Sequence, residues 1–277
     1  MIVPVTSLSD LRGKVAELRT RNTKRGAFIF RGLRSSYELK TTLERSCARA
    51  GKPISDMREY ERLTSREFER RFHHYSVHAP SSSCRLEWLA LMQHHGAPTR
   101  LLDWTYSLEV AAYFALKSAA EAGDSAAVWA MDASWAHEET AATFRRSGKH
   151  GAADLVLRNL WNAEDEARLA KVLLSEDARF AYPVNPYRLN ERLTLQHGIF
   201  VCPGDLTVSF EENLRAMPGS SDGDHVSTFV MPPSETQCGL ETLHEMNISD
   251  ATLFPGLDGF ARSLDINLRL AAPRVPI

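Results

Sequence analysis

The run Gln93-His94-His95-Gly96-Ala97-Pro98-Thr99-Arg100-Leu101-Leu102-Asp103-Trp104-Thr105-Tyr106-Ser107 constrains this chain more than any other part of it. Charged and polar side chains alternate there with Leu101, Leu102 and Trp104, and residues 110–115 that follow are almost wholly apolar. Polar groups held against so much apolar sequence are part-buried, and a buried polar group left without a partner costs about 1–3 kcal/mol. The run must therefore form an internal network or meet a ligand. Under the first reading Arg100 pairs with Asp103, while Gln93 and a histidine satisfy loop backbone, making a structural polar core. Under the second, some of these side chains are binding groups. His94 and His95 are either ligand or acid–base groups or ordinary packed histidines. Neither has a metal-type partner four residues on, and no metal is expected.

Periodicity on both sides frames the run. Helix is expected from about Cys84, with Leu86, Leu89, Ala90 and Gln93 on one face and Gly96 as its stop. Ser107 reads as the N-cap of a helix with Glu109 in its first turn, ending at Gly123. Upstream, Ser7 and Asp10 open a helix that repeats Leu8, Leu11, Val15 and Leu18. A polar turn over residues 22–26 leads into Ala27-Phe28-Ile29-Phe30-Arg31, a short strand with Arg31 at its end and Gly32 as a tight exit. A charged helix over residues 56–75 shows Met57, Tyr60, Thr64, Phe68 and Phe72 as its apolar side. Residues 127–131 read as a buried strand and residues 163–174 as helix. Residues 192–202 alternate as a strand, with Arg192, Thr194, Gln196 and Gly198 on one face and Leu193, Leu195 and Ile199 on the other. Residues 219–224 form a flexible loop, and two helices, about 234–246 and 257–269, follow. With no repeat and no long linker, the pattern predicts one α+β domain with many helices around a small sheet.

Composition narrows the setting. Of 277 residues 43% are hydrophobic and 25% charged, which excludes a disordered or fibrous chain. No apolar stretch nears the roughly 18 residues of a membrane span, and the first residues lack signal-peptide character, so a cytoplasmic protein without membrane contact is expected. The four cysteines lie far apart without C-x-x-C spacing and read as reduced thiols. Net charge is −2, yet the first quarter is rich in Arg and Lys while residues 205–245 lean acidic. The basic quarter is either a set of solvated helix faces or a surface that meets nucleotide or nucleic acid.

Several of these motifs, taken together, resemble the FRG domain family: Phe30-Arg31-Gly32, Tyr37-x-Leu39 with Leu43-x-Arg45, the run from Gln93 to Thr105, and Ala112-x-Phe114-Ala115. Two later pieces, Arg192-Leu193-Thr194-x-Gln196-x-Gly198-x-Phe200 and Phe254-Pro255-Gly256-Leu257-Asp258-Gly259, fit the family's usual ending, so the resemblance spans about residues 27–262. His95 departs from it, standing where the family usually has an aromatic residue. The resemblance implies a bacterial defence or toxin setting, with an antitoxin or defence partner, or a non-enzymatic phage-defence sensor or interaction module.

The order of motifs is also similar to ADP-ribosyltransferases of the arginine–serine–glutamate type, which implies a small, mostly antiparallel split sheet and NAD as co-substrate. That resemblance implies catalytic roles for Arg31 and Gln196. It gives NAD-binding roles to Arg31, Gly32, Thr105, Ser107, Tyr113, Phe114 and His94, with Gln93, Arg100 and Asp103 as structural frame. The acceptor of ADP-ribose would be a macromolecule, protein or nucleic acid. A guanidinium is a planar, permanently charged fork for a pyrophosphate, and a side-chain oxygen near C1 stabilises an oxocarbenium-like sugar. Gln196 stands where those enzymes have glutamate, and an amide lacks the full negative charge. Each residue also has an ordinary reading: Arg31 as an ion-pair arginine, Gln196 as an amide bridging strands, Thr105 and Ser107 as turn and helix cap.

Overall fold

The structure, a computed structural model, describes residues 1–21, 28–35, 37–158, 162–175 and 177–269. The expected turn over residues 22–26 and Ala27 lie outside the described residues. The strands are β1 (Ile2–Pro4), β2 (Phe28–Arg34), β3 (Leu102–Thr105), β4 (Ala126–Asp132), β5 (Ala181–Val184), β6 (Gly198–Pro203) and β7 (Val226–Met231). Helices of the first half are α1 (Leu8–Arg21), α2 (Thr42–Arg49), α3 (Met57–Phe72), α4 (Arg85–His94), α5 (Leu108–Ala122) and α6 (Ala133–Arg146). Those of the second half are α7 (His150–Val156), α8 (Ala163–Ser175), α9 (Glu191–Leu195), α10 (Phe210–Arg215), α11 (Thr236–Glu245), α12 (Asp250–Leu253) and α13 (Leu257–Arg269).

The strands join in one seven-stranded sheet of order β1-β7-β4-β2-β3-β6-β5. The β1–β7 pair is parallel and every other pair is antiparallel. The mixed helix-and-sheet class agrees with the sequence, but the small split sheet does not. The short strands β1, β5 and β7 extend both flanks, and a rung between Phe30 and Thr105 ties β2 to β3. Alternation along the strands divides the core into two layers. Phe28, Phe30, Val128, Ala130, Phe229 and Met231 pack under α1, α5 and α11. Ile29, Leu33, Leu102, Trp104 and Met131 pack against α4, α6, α7 and α8 on the other face. Each such side chain fully withdrawn from water contributes about 1.5–3 kcal/mol before entropy is counted.

Local signals explain most of the elements. Ser7 Oγ accepts from Asp10 N at 3.1 Å at the start of α1, whose Leu8, Leu11, Val15 and Leu18 are buried. Ser107 caps α5 by accepting from Val110 N, and Gly123 ends it with φ +65.

Three expectations are corrected. Gly32 is no exit: β2 runs on to Arg34, and a Cβ at residue 32 would stand 1.8 Å from Ala111 O and 2.6 Å from Ala115 N. The glycine is needed because α5 lies directly on the strand. Residues 192–202 are not one strand. Asn190 accepts from Leu193 N and starts the short helix α9, the chain turns at His197 with φ +46, and only then does β6 begin. Lastly, α3 buries Glu61 and Ser65 together with Met57 and Phe72, so its core-facing side is partly polar.

Candidate functional site

Beyond the Phe30–Thr105 rung, residues 31–34 of β2 keep register with β4 alone, and residues 102–104 of β3 with β6 alone. The two strands part there, and a cleft of about 830 Å³ opens between them. Arg31 reaches across it, its Nη1 donating to the Asp103 carbonyl. One wall is α5, through Val110, Ala111, Phe114 and Ser118. Tyr37, Glu38 and Lys40 after β2, Arg45 of α2, and Arg192 and Gln196 around α9 complete the rim.

Positive charge dominates this space. Arg31, Lys40, Arg45 and Arg192 line it against two carboxylates, Glu38 and Asp103. Glu38 is held by Lys40 at 2.5 Å, and Arg45 donates to the Lys40 carbonyl at 2.6 Å. Burial draws the Arg31 guanidinium down to about 10; the Asp103 charge opposes this and the Arg45 charge adds to it. Arg31 is still a full cation at neutral pH. Its Nε, and the indole Nε1 of Trp104, are buried donors without hydrogen-bond partners. A buried orphan donor loses its hydration with nothing in return, a cost of about 1–3 kcal/mol each. A further aromatic surface adjoins: the Arg192 guanidinium lies 4.9 Å and that of Arg262 5.4 Å from the centre of the Phe254 ring. Phe114 meets the same ring edge-on at 6.0 Å.

Thr105 ties the remaining pieces together. Its Oγ1 donates to the Gln196 carbonyl at 2.7 Å and accepts from Ser107 N at 3.0 Å. The Gln196 amide Nε2 donates to Leu253 O at 3.0 Å. Thus the short helix α9, strand β3 and the segment leading to Phe254 meet at one edge of the cleft, although they are far apart in sequence.

The structural polar core is two networks rather than one. Arg100 does not pair with Asp103. It is bound to Glu61 of α3, with Nη2 at 2.5 Å from one carboxylate oxygen and Nε at 2.7 Å, and the backbone N of Arg100 donates to the other oxygen at 3.0 Å. Both side chains are almost wholly buried, at 3% and 8% exposure. Gln93 forms the second network. Its Oε1 accepts from Thr99 Oγ1 at 2.6 Å and Thr42 Oγ1 at 3.0 Å. Its Nε2 is thereby turned to Leu101 O at 3.3 Å and Asp103 Oδ2 at 3.0 Å.

Of the residues singled out from the sequence, Arg31, Gly32, Asp103, Thr105, Phe114 and Gln196 line the cleft. Ser107, Tyr113, His94, Gln93 and Arg100 are not among its lining residues. Ser107 serves as helix cap. Tyr113 is buried on the core side of α5, where burial and then Asp250 push its phenol up. His94 is drawn down by burial, by His95 and by Arg192. Lys40 and Ser118 were not singled out from the sequence. Lys40 has a signal, a cation a few residues past the Arg-Gly strand, whereas Ser118 has none beyond its place one turn after Phe114.

Elsewhere, ligand atoms of the buried Cys84, Glu87 and Glu166 lie within 4.8 Å of one another. The two Glu166 oxygens accept from Glu87 N and Tyr187 N, which accounts for that carboxylate without an ion. Cys47, Cys84 and Cys202 are buried free thiols and Cys238 is exposed. Among the described residues no helix is long and apolar enough to cross a membrane.

The fold and cleft define a mixed α/β protein with a cation-rich groove at a parting between two central strands. The FRG domain model matches residues 26–124, a span that takes in β2 through the end of α5. The match takes in Arg31, Asp103, Thr105 and Phe114 and stops short of α9 and Gln196, which the wider resemblance had included. Neither curated proteins nor solved structures gave a match.

Proposed function

We propose that the cleft binds NAD and that the protein is an NAD-dependent ADP-ribosyltransferase, acting in the cytoplasm on a protein or nucleic-acid acceptor within a bacterial defence or toxin system. The observation that carries this reading is the convergence of Arg31, Thr105 and Gln196, from three distant segments, on one cleft. The space suits a dinucleotide. Arg31 has an unspent Nε–H donor for a pyrophosphate, and Lys40, Arg45 and Arg192 raise the positive potential around it. Phe114, part-exposed on the α5 wall, offers a face for a flat heterocycle.

Incubation of the purified protein with NAD and a cell extract should release nicotinamide and label a macromolecule. Arg31→Ala should lower that release at least about 100-fold, as loss of a charge-stabilising group does. No nicotinamide and no labelled product overturn the enzyme reading.

One observation favours a second reading, a non-enzymatic defence sensor or interaction module. Gln196 is a neutral amide whose Nε2 is already held by Leu253 O, an arrangement suited to binding without cleavage. Under it, NAD raises the melting temperature of the wild type but not of Arg31→Ala, and no nicotinamide appears.

A further inference from the structure

We propose that Asp103 is the catalytic carboxylate of this cleft, supplying the negative charge that the amide of Gln196 cannot; the inference rests on the NAD reading above. The cleft is lined by two carboxylates, and they differ in what already holds them. Glu38 sits at the rim with its side chain 64% exposed and bound to Lys40. Asp103 has no ion pair on its carboxylate among the described residues, for the nearby Arg31 donates to its backbone carbonyl instead. Its negative charge is therefore not cancelled by a bonded cation.

The carboxylate is also aimed. Asp103 and Thr105 are two residues apart on β3 and share a face, and Thr105 is hydrogen-bonded to Gln196. Gln93 Nε2 holds Asp103 Oδ2, and the orientation of the Gln93 amide is set because Leu101 O and the Asp103 carboxylate, both acceptors only, face its NH2 while Thr99 Oγ1 donates to its Oε1. One carboxylate oxygen is thus fixed and the other, Oδ1, makes no hydrogen bond among the described residues. A preset charge of this kind lowers a barrier without reorganising when positive charge develops.

In the step it would serve, the bond between ribose C1′ and the pyridinium nitrogen breaks and its electron pair goes to that nitrogen, so nicotinamide leaves neutral. The positive charge passes to the ribosyl oxocarbenium, which Asp103 stabilises. A nucleophilic oxygen or nitrogen of the acceptor then bonds to C1′, and its proton goes to the Asp103 carboxylate and on to solvent.

Asp103→Asn tests this, since the asparagine oxygen still accepts from Gln93. Nicotinamide release is measured beside NAD affinity by calorimetry and the melting temperature. The expected result is an unchanged melting temperature, affinity within about threefold, and a turnover lowered at least about 100-fold. Asp103→Glu, which keeps the charge, should recover part of that turnover. Asp103→Asn turning over within threefold of wild type overturns the role of Asp103 and leaves the NAD reading standing. A fall in turnover matched by an equal fall in affinity or by a lowered melting temperature, with no recovery in Asp103→Glu, also overturns it. Wild-type protein that releases no nicotinamide overturns the NAD enzyme reading itself, and the carboxylate's role with it.

Discussion

Arg100 and Glu61 illustrate what a buried charge demands of a chain. Two charges taken out of water are costly unless well bonded; here the carboxylate takes Nε and Nη2 of the guanidinium and the backbone amide of the same residue, while the buried Nη1 makes no hydrogen bond among the described residues. Removing one partner strands the other. Glu61→Ala should lose about 3–5 kcal/mol in denaturant unfolding, while the double replacement Glu61→Leu with Arg100→Met should lose much less. The sequence marked Arg100 as needing a partner, because it lies beside Leu101 and Leu102. It could not say which one. Asp103 was the nearest carboxylate in sequence, whereas Glu61 belongs to a helix so charged that it reads as a solvated face. Arg31, Thr105 and Gln196 were legible for a different reason: residue type and order sufficed to single them out, even though the strand face assigned to Gln196 was wrong.

Among the elements, β2 and α5 show the tightest fit. Gly32 faces backbone atoms of Ala111 and Ala115 that belong to a helix and cannot swing aside. Gly32→Ala should therefore destabilise at the upper end of about 1–3 kcal/mol by overpacking. If the cleft binds NAD as proposed, the change should also weaken that binding, because α5 forms a wall of the cleft; denaturant unfolding and calorimetry read the two effects. Long periodic segments such as α1 and α5 were legible from cap and spacing together. The segment from Arg192 was not, since five residues of Arg-Leu-Thr-Leu-Gln satisfy a strand's alternation as well as a single helical turn. What decides it is the Asn190 cap and the positive φ at His197. Strands β1, β5 and β7 escaped notice because runs of three to six residues carry little periodicity of their own.

At the scale of the whole molecule, buried ionisable groups set how stability follows pH. Burial draws the imidazoles of His94 and His137 below their ordinary value of about 6.5. The unfolded chain then binds more protons, so their contribution is present above that value and is lost as pH falls through the folded one. Burial pushes the carboxyls of Glu44 and Glu166 upward, and their contribution runs the other way, present at low pH and lost as pH rises through the folded values. Thermal melting at pH 7.5 and 5.5 should show wild type losing more on acidification than the double variant His94→Gln, His137→Gln. Equal losses in the two proteins would count against these part-buried imidazoles as the source. The mixed class of the fold was legible from alternating helical and strand-like segments. The breadth of the sheet was not, because strand pairing is a long-range choice that local pattern does not encode.

The parting of β2 from β3 has one further consequence. A sheet carries load across its strands through successive rungs, and at this seam the register holds one, Phe30 to Thr105. The four residues of β2 beyond it, and the three of β3 before it, face a gap that Arg31 spans with a single side chain. Of the pairings between neighbouring strands, this one has the fewest register partners among the described residues. Under the proposed reading, NAD seated there would act as a keystone, tying two half-sheets together where the ladder itself leaves off.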